Sequence, residues 1–238
     1  MHRHSRIYLS RSHIAITLFF VAIPFIFLLF FSRIAHIQTV FLFESIFVSV
    51  LRLAIAYLIA VSLGWILAAL LYRGKRAAVA LPFFDVLQSF PAFAALPLAV
   101  VVWGATNFTV IFFLVIAVIW PIFFAIISSL KLIRSDWQEA VAVSGLSGSA
   151  YVRYFLWPVS LPGLITGSIV GLGDGWEALI ATEIIVRIKT GVGSFFQSFA
   201  NNPTMTFFGI FGFLLLIFSI NKLVWLPLLE WSHQLLGD

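Results

Sequence analysis

Three acids fall within or beside one otherwise apolar run: Asp174, Glu177 and Glu183 lie along the stretch from Leu161 to Ile185. An ionised carboxylate in hydrocarbon is costly, so each must face a bundle interior, a water-filled cavity or the far interface. At a helical rise of 1.5 Å per residue, Asp174 lies roughly 20 Å along from Leu161 and Glu183 roughly 33 Å. That depth sets Asp174 inside a bilayer and Glu183 near its outer rim. For Asp174 and Glu177, packing and a place on a solute pathway both remain open. A proton relay is the one chemistry they offer directly.

The second concentration of polar residues runs from Asp136 to Pro162, DWQEAVAVSGLSGSAYVRYFLWPVSLP, and it must lie outside the lipid. Glu139, Ala140 and Ala142 start a short helix of good formers. Gly145 ends it or admits another surface close to the backbone. A second helical run from Ser149 to Trp157 is expected to end at Pro158. Small residues around one carboxylate suit a surface that docks against a partner.

Other chemistry is absent. Gly74-Lys75 lacks the upstream glycine and following hydroxyl of a phosphate-binding loop, and neither H-E-x-x-H nor G-x-S-x-G occurs. The chain has 0 cysteines, which removes disulfides, thiol nucleophiles and cysteine metal sites together. His2, His4 and His13 belong to a solvated tail, and Gly171-x-Gly173 lacks the third glycine of a dinucleotide site. Neither catalysis, nor a metal, nor a cofactor is therefore expected in this chain. Energy for any transport must come from a partner or an ion gradient.

The elements that must position these residues are membrane helices. Of 238 residues, 62% are apolar and 10% charged, and the mean hydropathy is +1.12, far outside the range of soluble domains. The net charge of +5 sits in clusters beside apolar runs, so it reads as a topology signal and not as a nucleic-acid stripe. About six spans are expected: 14–31, 46–71, 79–102, 110–130, 161–185 and 207–229. They form an all-α polytopic bundle in one domain, 14–238, after a cytoplasmic tail, 1–13. The basic turn 72–76 and the cations Lys131, Arg134 and Arg153 put the 131–160 loop and both termini in the cytoplasm. Arg52 is expected to snorkel to the interface. Pro82, Pro91 and Pro97 should break the third span, making it a candidate pathway wall. Pro121 should kink the fourth. Gly163, Gly167, Gly171 and Gly175 recur every four residues and mark a close-packing face. The stretch 187–203 reads as an outer loop with a short interfacial helix turning Phe195, Phe196 and Phe199 toward lipid.

The order Glu139-Ala140, Gly145, Pro158 resembles the EAA loop of ABC importer permeases. Val141 stands where a third small residue is usual, and Phe155 and Trp157 occupy expected aliphatic positions. Gln88, Pro91, Leu96-Pro97 and Trp103-Gly104 are similar to a segment of the nitrate, sulfonate and taurine branch. Trp176 to Glu183 resembles a further element of that family, with Thr182 in place of alanine. The resemblance covers about 81–193. It implies a type I ABC importer permease fold and coupling through Glu139, Ala140, Gly145 and Pro158 to separate ATPase subunits, which hold ATP and Mg. It also implies a second permease copy, forming a homodimer, and an extracytoplasmic substrate-binding protein. The setting would be the lipid of a bacterial inner (plasma) membrane, with no nucleic acid involved. Pro91, Pro97, Asp174, Trp176, Glu177 and Glu183 become candidates for the pathway, with Glu183 at or near its outer gate. The implied substrate is a nitrate-, sulfonate- or taurine-like anion. Acids facing the pathway would instead suit a neutral or cationic solute such as a pyrimidine vitamin precursor. A proton-coupled secondary transporter usually shows inverted repeats, which are not evident here. A membrane scaffold without transport is the remaining alternative.

Overall fold

The apolar runs become helices in the order α1 (Arg11–Ile34), α2 (Thr39–Leu71), α3 (Gly74–Gln88), α4 (Leu96–Trp103) and α5 (Asn107–Lys131). They continue as α6 (Ser135–Val143), α7 (Gly148–Tyr151), α8 (Trp157–Val186), α9 (Val192–Ser198) and α10 (Pro203–Ile220). The computed structural model describes residues 11–36, 38–225, 227–228 and 231, and no strand occurs among them. Residues 1–10 of the expected tail, with His2 and His4, lie outside the described residues, as does the side chain of His13.

One helix organises the bundle. Side-chain hydrogen bonds at several levels join α2 and its C-terminal cap Tyr72 to α7 and α8, among them Ser49 to Glu183 at 2.7 Å, Tyr57 with Ser168 at 2.9 Å, Trp65 to Ser160 at 2.8 Å and Tyr72 with Tyr151 at 2.7 Å. The numbers rise along one helix as they fall along the other, so the two are antiparallel. α8 also lies against α5, and there the glycine face determines the fit. A Cβ added at Gly163 would stand 2.6 Å from the Ala125 carbonyl oxygen, and one at Gly167 would stand 2.7 Å from the Ile122 Cα. At Gly171 it would meet the Val118 oxygen at 2.9 Å. Backbone therefore touches backbone, which only small residues permit. Gly175 points between Leu53 and Val118 and packs against both α2 and α5.

α2 and α5 run parallel and also pack directly together, with Gly64 of α2 against Ile119 and Ile122, so α5 lies against both α2 and α8. The most apolar windows of α5 and of the rod containing α8 are each 50% buried, against 28% in α2, so the centre of the core lies on the α5–α8 pair. α1 and α10 pair at the side, with Gly212 against Phe27 and Leu28.

Among the described residues four helices are long and apolar enough to cross a bilayer, and a fifth crossing results if the bent pair flanking residues 88–92 counts as one. The expected break in the third span is a 62° bend between Ala77–Gln88 and Ala92–Trp103. Pro91 lies in the gap, and Pro97 occupies the first turn of α4, where a missing N–H costs nothing.

Pro82 and Pro121 lie inside helices that continue past them, α3 and α5, so the break of the third span falls at Pro91 and not at Pro82. The helix does not end at Pro158: α7, a π turn at Val152–Leu156 and α8 form one continuous rod, Gly148–Val186. The wider turn directly before Pro158 accommodates the ring that would otherwise collide with a carbonyl four residues back. At roughly 58 Å the rod is far longer than a bilayer core, so its first turns project from the bundle.

Candidate functional site

At the end where α2 and α5 finish, the chain leaves the bundle as α6 and α7. Neither helix has a buried residue, and Glu139, Ala140 and Gly145 are all exposed. Trp137 and Val141 pack α6 back onto the core, while Val143 is 90% exposed. Arg134 pairs with Asp136 at 2.8 Å, both largely in solvent. That hydrogen bond, with the Trp137 N–H, holds the Asp136 carboxyl below its usual range. It also puts a negative charge in the first turn of α6, where the helix dipole favours one. Gly145 adopts φ +69° and reverses the chain, with no atom within 4 Å of where a Cβ would stand. The glycine is there for its backbone conformation and leaves open space above it. Pro158 is displaced from this surface and belongs to the rod.

At the opposite end a buried ion pair ties three elements together. Arg52 is 4% exposed and Glu183 is fully buried, and Nη1 of Arg52 donates to Glu183 Oε1. The expected snorkelling is therefore wrong. Arg52 points inward because partners are waiting: its Nε donates to Asn107 Oδ1 at 2.8 Å, Nη1 also to the Thr190 carbonyl at 2.7 Å and Nη2 to the Thr190 hydroxyl at 2.9 Å. The carboxylate in turn accepts from the Ser49 hydroxyl and from the Gly193 N–H at 2.8 Å. Ser49 itself accepts from the Val192 N–H at 2.8 Å.

Each carboxylate oxygen thus has its own donors, which is the condition under which a buried charge pair is tolerated. The loop 187–193 closes over the pair. Arg187 ends α8 in the left-handed region, φ +56°, and Gly191 at φ +118° passes so close that a Cβ would be 2.5 Å from both Glu183 oxygens. Glu183 is consumed by this cluster and opens on no cavity. α9 follows with Phe195 and Phe196 buried and Phe199 partly so, in contact with Phe31 and Phe213. The expectation that these rings face lipid is thereby overturned, because α1 and α10 cover them.

Between these ends, a cavity of about 360 Å³ opens where the bent pair breaks. Asp174 and Glu177 line it together with Pro91. Trp176, two residues on from Asp174 and so on the other side of α8, is buried edge-on to Phe213 with ring centroids 5.2 Å apart. Pro97 is exposed and does not line the cavity. Of the six pathway candidates the fold brings Pro91, Asp174 and Glu177 to this cavity, sets Trp176 beside Glu177 on a second cavity of about 320 Å³, and leaves Pro97 and Glu183 apart. Sequence reading missed Gln88, Phe93, Phe113 and Trp120 on the cavity wall. Phe113 and Trp120 are seven residues apart on one helix, a spacing that would have placed them on one face.

A helical membrane bundle with an exposed amphipathic platform at one end and a mid-span cavity defines a membrane permease. The family model described as binding-protein-dependent transport system inner membrane component matches residues 60–224, more than half of the chain, and the chain belongs to that family. It is an ABC importer permease of the nitrate, sulfonate and taurine branch. Over 179 residues it is 30% identical to a nitrate import permease protein of Synechocystis, covering 72% of this chain and 65% of that one. It is 28% identical over 155 residues to a bicarbonate transport system permease protein of Synechococcus elongatus, covering 65% and 56%. With a taurine transport system permease protein of Escherichia coli it shares 28% identity over 117 residues, covering 49% and 42%. The chain spans between about two fifths and two thirds of these relatives' lengths.

Proposed function

We propose that this chain is the translocation subunit of an ATP-driven importer of a small solute. Its exposed 131–160 segment docks a separate ATPase subunit, which holds ATP and Mg, and transmits the closing of an ATPase pair to the helices. The single observation that carries this reading is the α6–α7 platform: a short helix, a glycine reversal and a second helix, solvent-exposed at the end of a bundle whose family is that of binding-protein-dependent transport. The rod that begins in the platform at Gly148 runs to Val186, so a push at one end reaches the buried Arg52–Glu183 cluster at the other without a joint. Clustered Arg73, Lys75, Arg76, Lys131, Arg134 and Arg153 at the platform end, against Arg33, Arg187 and Lys189 at the opposite end, support a cytoplasmic platform. A second copy of the chain completes the pathway, and an extracytoplasmic binding protein delivers the solute.

The chain has 0 cysteines, which makes the test direct. A Ser144→Cys variant in intact cells should resist a membrane-impermeant maleimide and react after permeabilisation. The tagged full chain should co-purify with a phosphate-loop ATPase, and Gly145→Asp should abolish that association while leaving membrane insertion intact. Labelling from outside, or purification free of any ATPase, overturns the proposal. Uptake that collapses with an uncoupler while ATP is maintained would favour the proton-coupled alternative built on Asp174 and Glu177.

A further inference from the structure

The mid-span cavity has walls whose chemistry states a charge preference. Asp174 and Glu177 are three apart on α8, so both carboxylates project on one side. Both are solvent-accessible, both line the cavity, and among the described residues neither has a hydrogen-bond or ion-pair partner. The contrast with Glu183 is instructive: one helix satisfies one of its acids fully and leaves two unpaired.

Two further observations converge on the same space. Phe90, Phe93, Phe113 and Trp120 share the lining of the cavity with the acids, and an aromatic face attracts cations and repels anions through its quadrupole. The third wall is the broken backbone at 88–92, where Pro91 has no N–H to donate. Irregular backbone at membrane depth is tolerated where it lines a cavity, and at this break the Phe90 and Pro91 carbonyls accept from the Ala92 and Ala94 N–H groups. Among the described residues no Lys, Arg or His lines the cavity. Its volume of about 360 Å³ matches a small organic solute.

We infer that this cavity binds the ammonium or other cationic group of a small organic solute, held between the carboxylates of Asp174 and Glu177 and the rings of Phe90, Phe93, Phe113 and Trp120. An inorganic anion finds no counter-charge in it. The inference deepens the importer reading above and rests on it for the solute's route. A zwitterion with an ammonium group fits as well as a simple cation, because only its positive end needs the acids.

Trp120 reports on the site. The purified full chain in lipid nanodiscs is titrated with choline, with nitrate and with methanesulfonate, following tryptophan fluorescence and, independently, calorimetric heat. Choline should bind saturably, and the two anions should not bind. Asp174→Asn with Glu177→Gln should weaken choline binding at least tenfold while preserving the elution profile, since neither carboxylate holds the fold together. Trp120→Leu provides a second variant with the same expected loss of binding by calorimetry. Nitrate or methanesulfonate binding more tightly than choline overturns the inference, as does unchanged choline affinity in the neutralised variant, or the absence of saturable choline binding. ATPase co-purification is read separately on the same preparations. Choline failure with the ATPase present refutes the cavity assignment alone, whereas ATPase absence refutes the importer reading whatever the cavity binds.

Discussion

Removing one partner of the Arg52–Glu183 pair should be the most damaging single change available in the far half of the bundle. Glu183 is fully buried and accepts from Ser49, Arg52 and the Gly193 N–H, while Arg52 spends its remaining described donors on Asn107 and Thr190. Glu183→Gln keeps the volume but turns an amide NH₂ toward groups that are themselves donors, and leaves the guanidinium buried without a counter-charge. Breaking such a pair costs about 3–5 kcal/mol. At ~2–4 °C per kcal/mol for a chain of this size, Tm should fall by about 6–20 °C. Arg52→Met should act similarly, since the carboxylate is then stranded. The double variant should recover part of the loss, with a coupling of about 2 kcal/mol in the four-member cycle. The assay is thermal unfolding of the purified full chain in one detergent, read by circular dichroism and by loss of the monodisperse peak. Singles within about 1 kcal/mol of the parent, or a cycle that closes additively, would refute the argument that the pair fastens the 187–193 loop to α2 and α8.

Gly167→Leu would force a branched side chain into a space where even a Cβ lies 2.7 Å from the α5 backbone, so the helices must separate; a loss of about 3 kcal/mol or failed insertion is expected in the same unfolding assay. Arg187→Gly should be neutral or stabilising by up to about 1 kcal/mol, because glycine adopts the left-handed cap at no steric cost. A marked loss of Tm there would show that the Arg187 side chain carries a role of its own. Asp136 has a depressed pKa, so any stability it adds is present above the usual carboxylate range and is lost as pH falls through its lowered value. Its pair with Arg134 is exposed, and Asp136→Asn should leave Tm at pH 7 unchanged within error.

What could be read from the residues alone follows local rules. Long apolar runs can only be membrane helices, because hydrocarbon offers no partner for an unsatisfied backbone group. A glycine every fourth position marks a face that a neighbour can approach, and a polar stretch with Gly145 at its turn must leave the lipid. None of these inferences requires knowing what lies across the gap. Pairing does. Arg52 and Glu183 are far apart in the chain, and nothing in their neighbourhoods distinguishes an arginine that snorkels from one that finds Asn107, Thr190 and a carboxylate inside the bundle. The rings of α9 pose the same question: amphipathicity shows which face is apolar, whereas α1 and α10 decide whether lipid or protein covers it. Asp174, Glu177 and Glu183 look alike as acids in a hydrophobic run. Only the placement of α2 and of the 187–193 loop makes one a buried fastening, and only the break at 88–92 leaves the other two facing open space, because burial and partnership belong to three-dimensional neighbours.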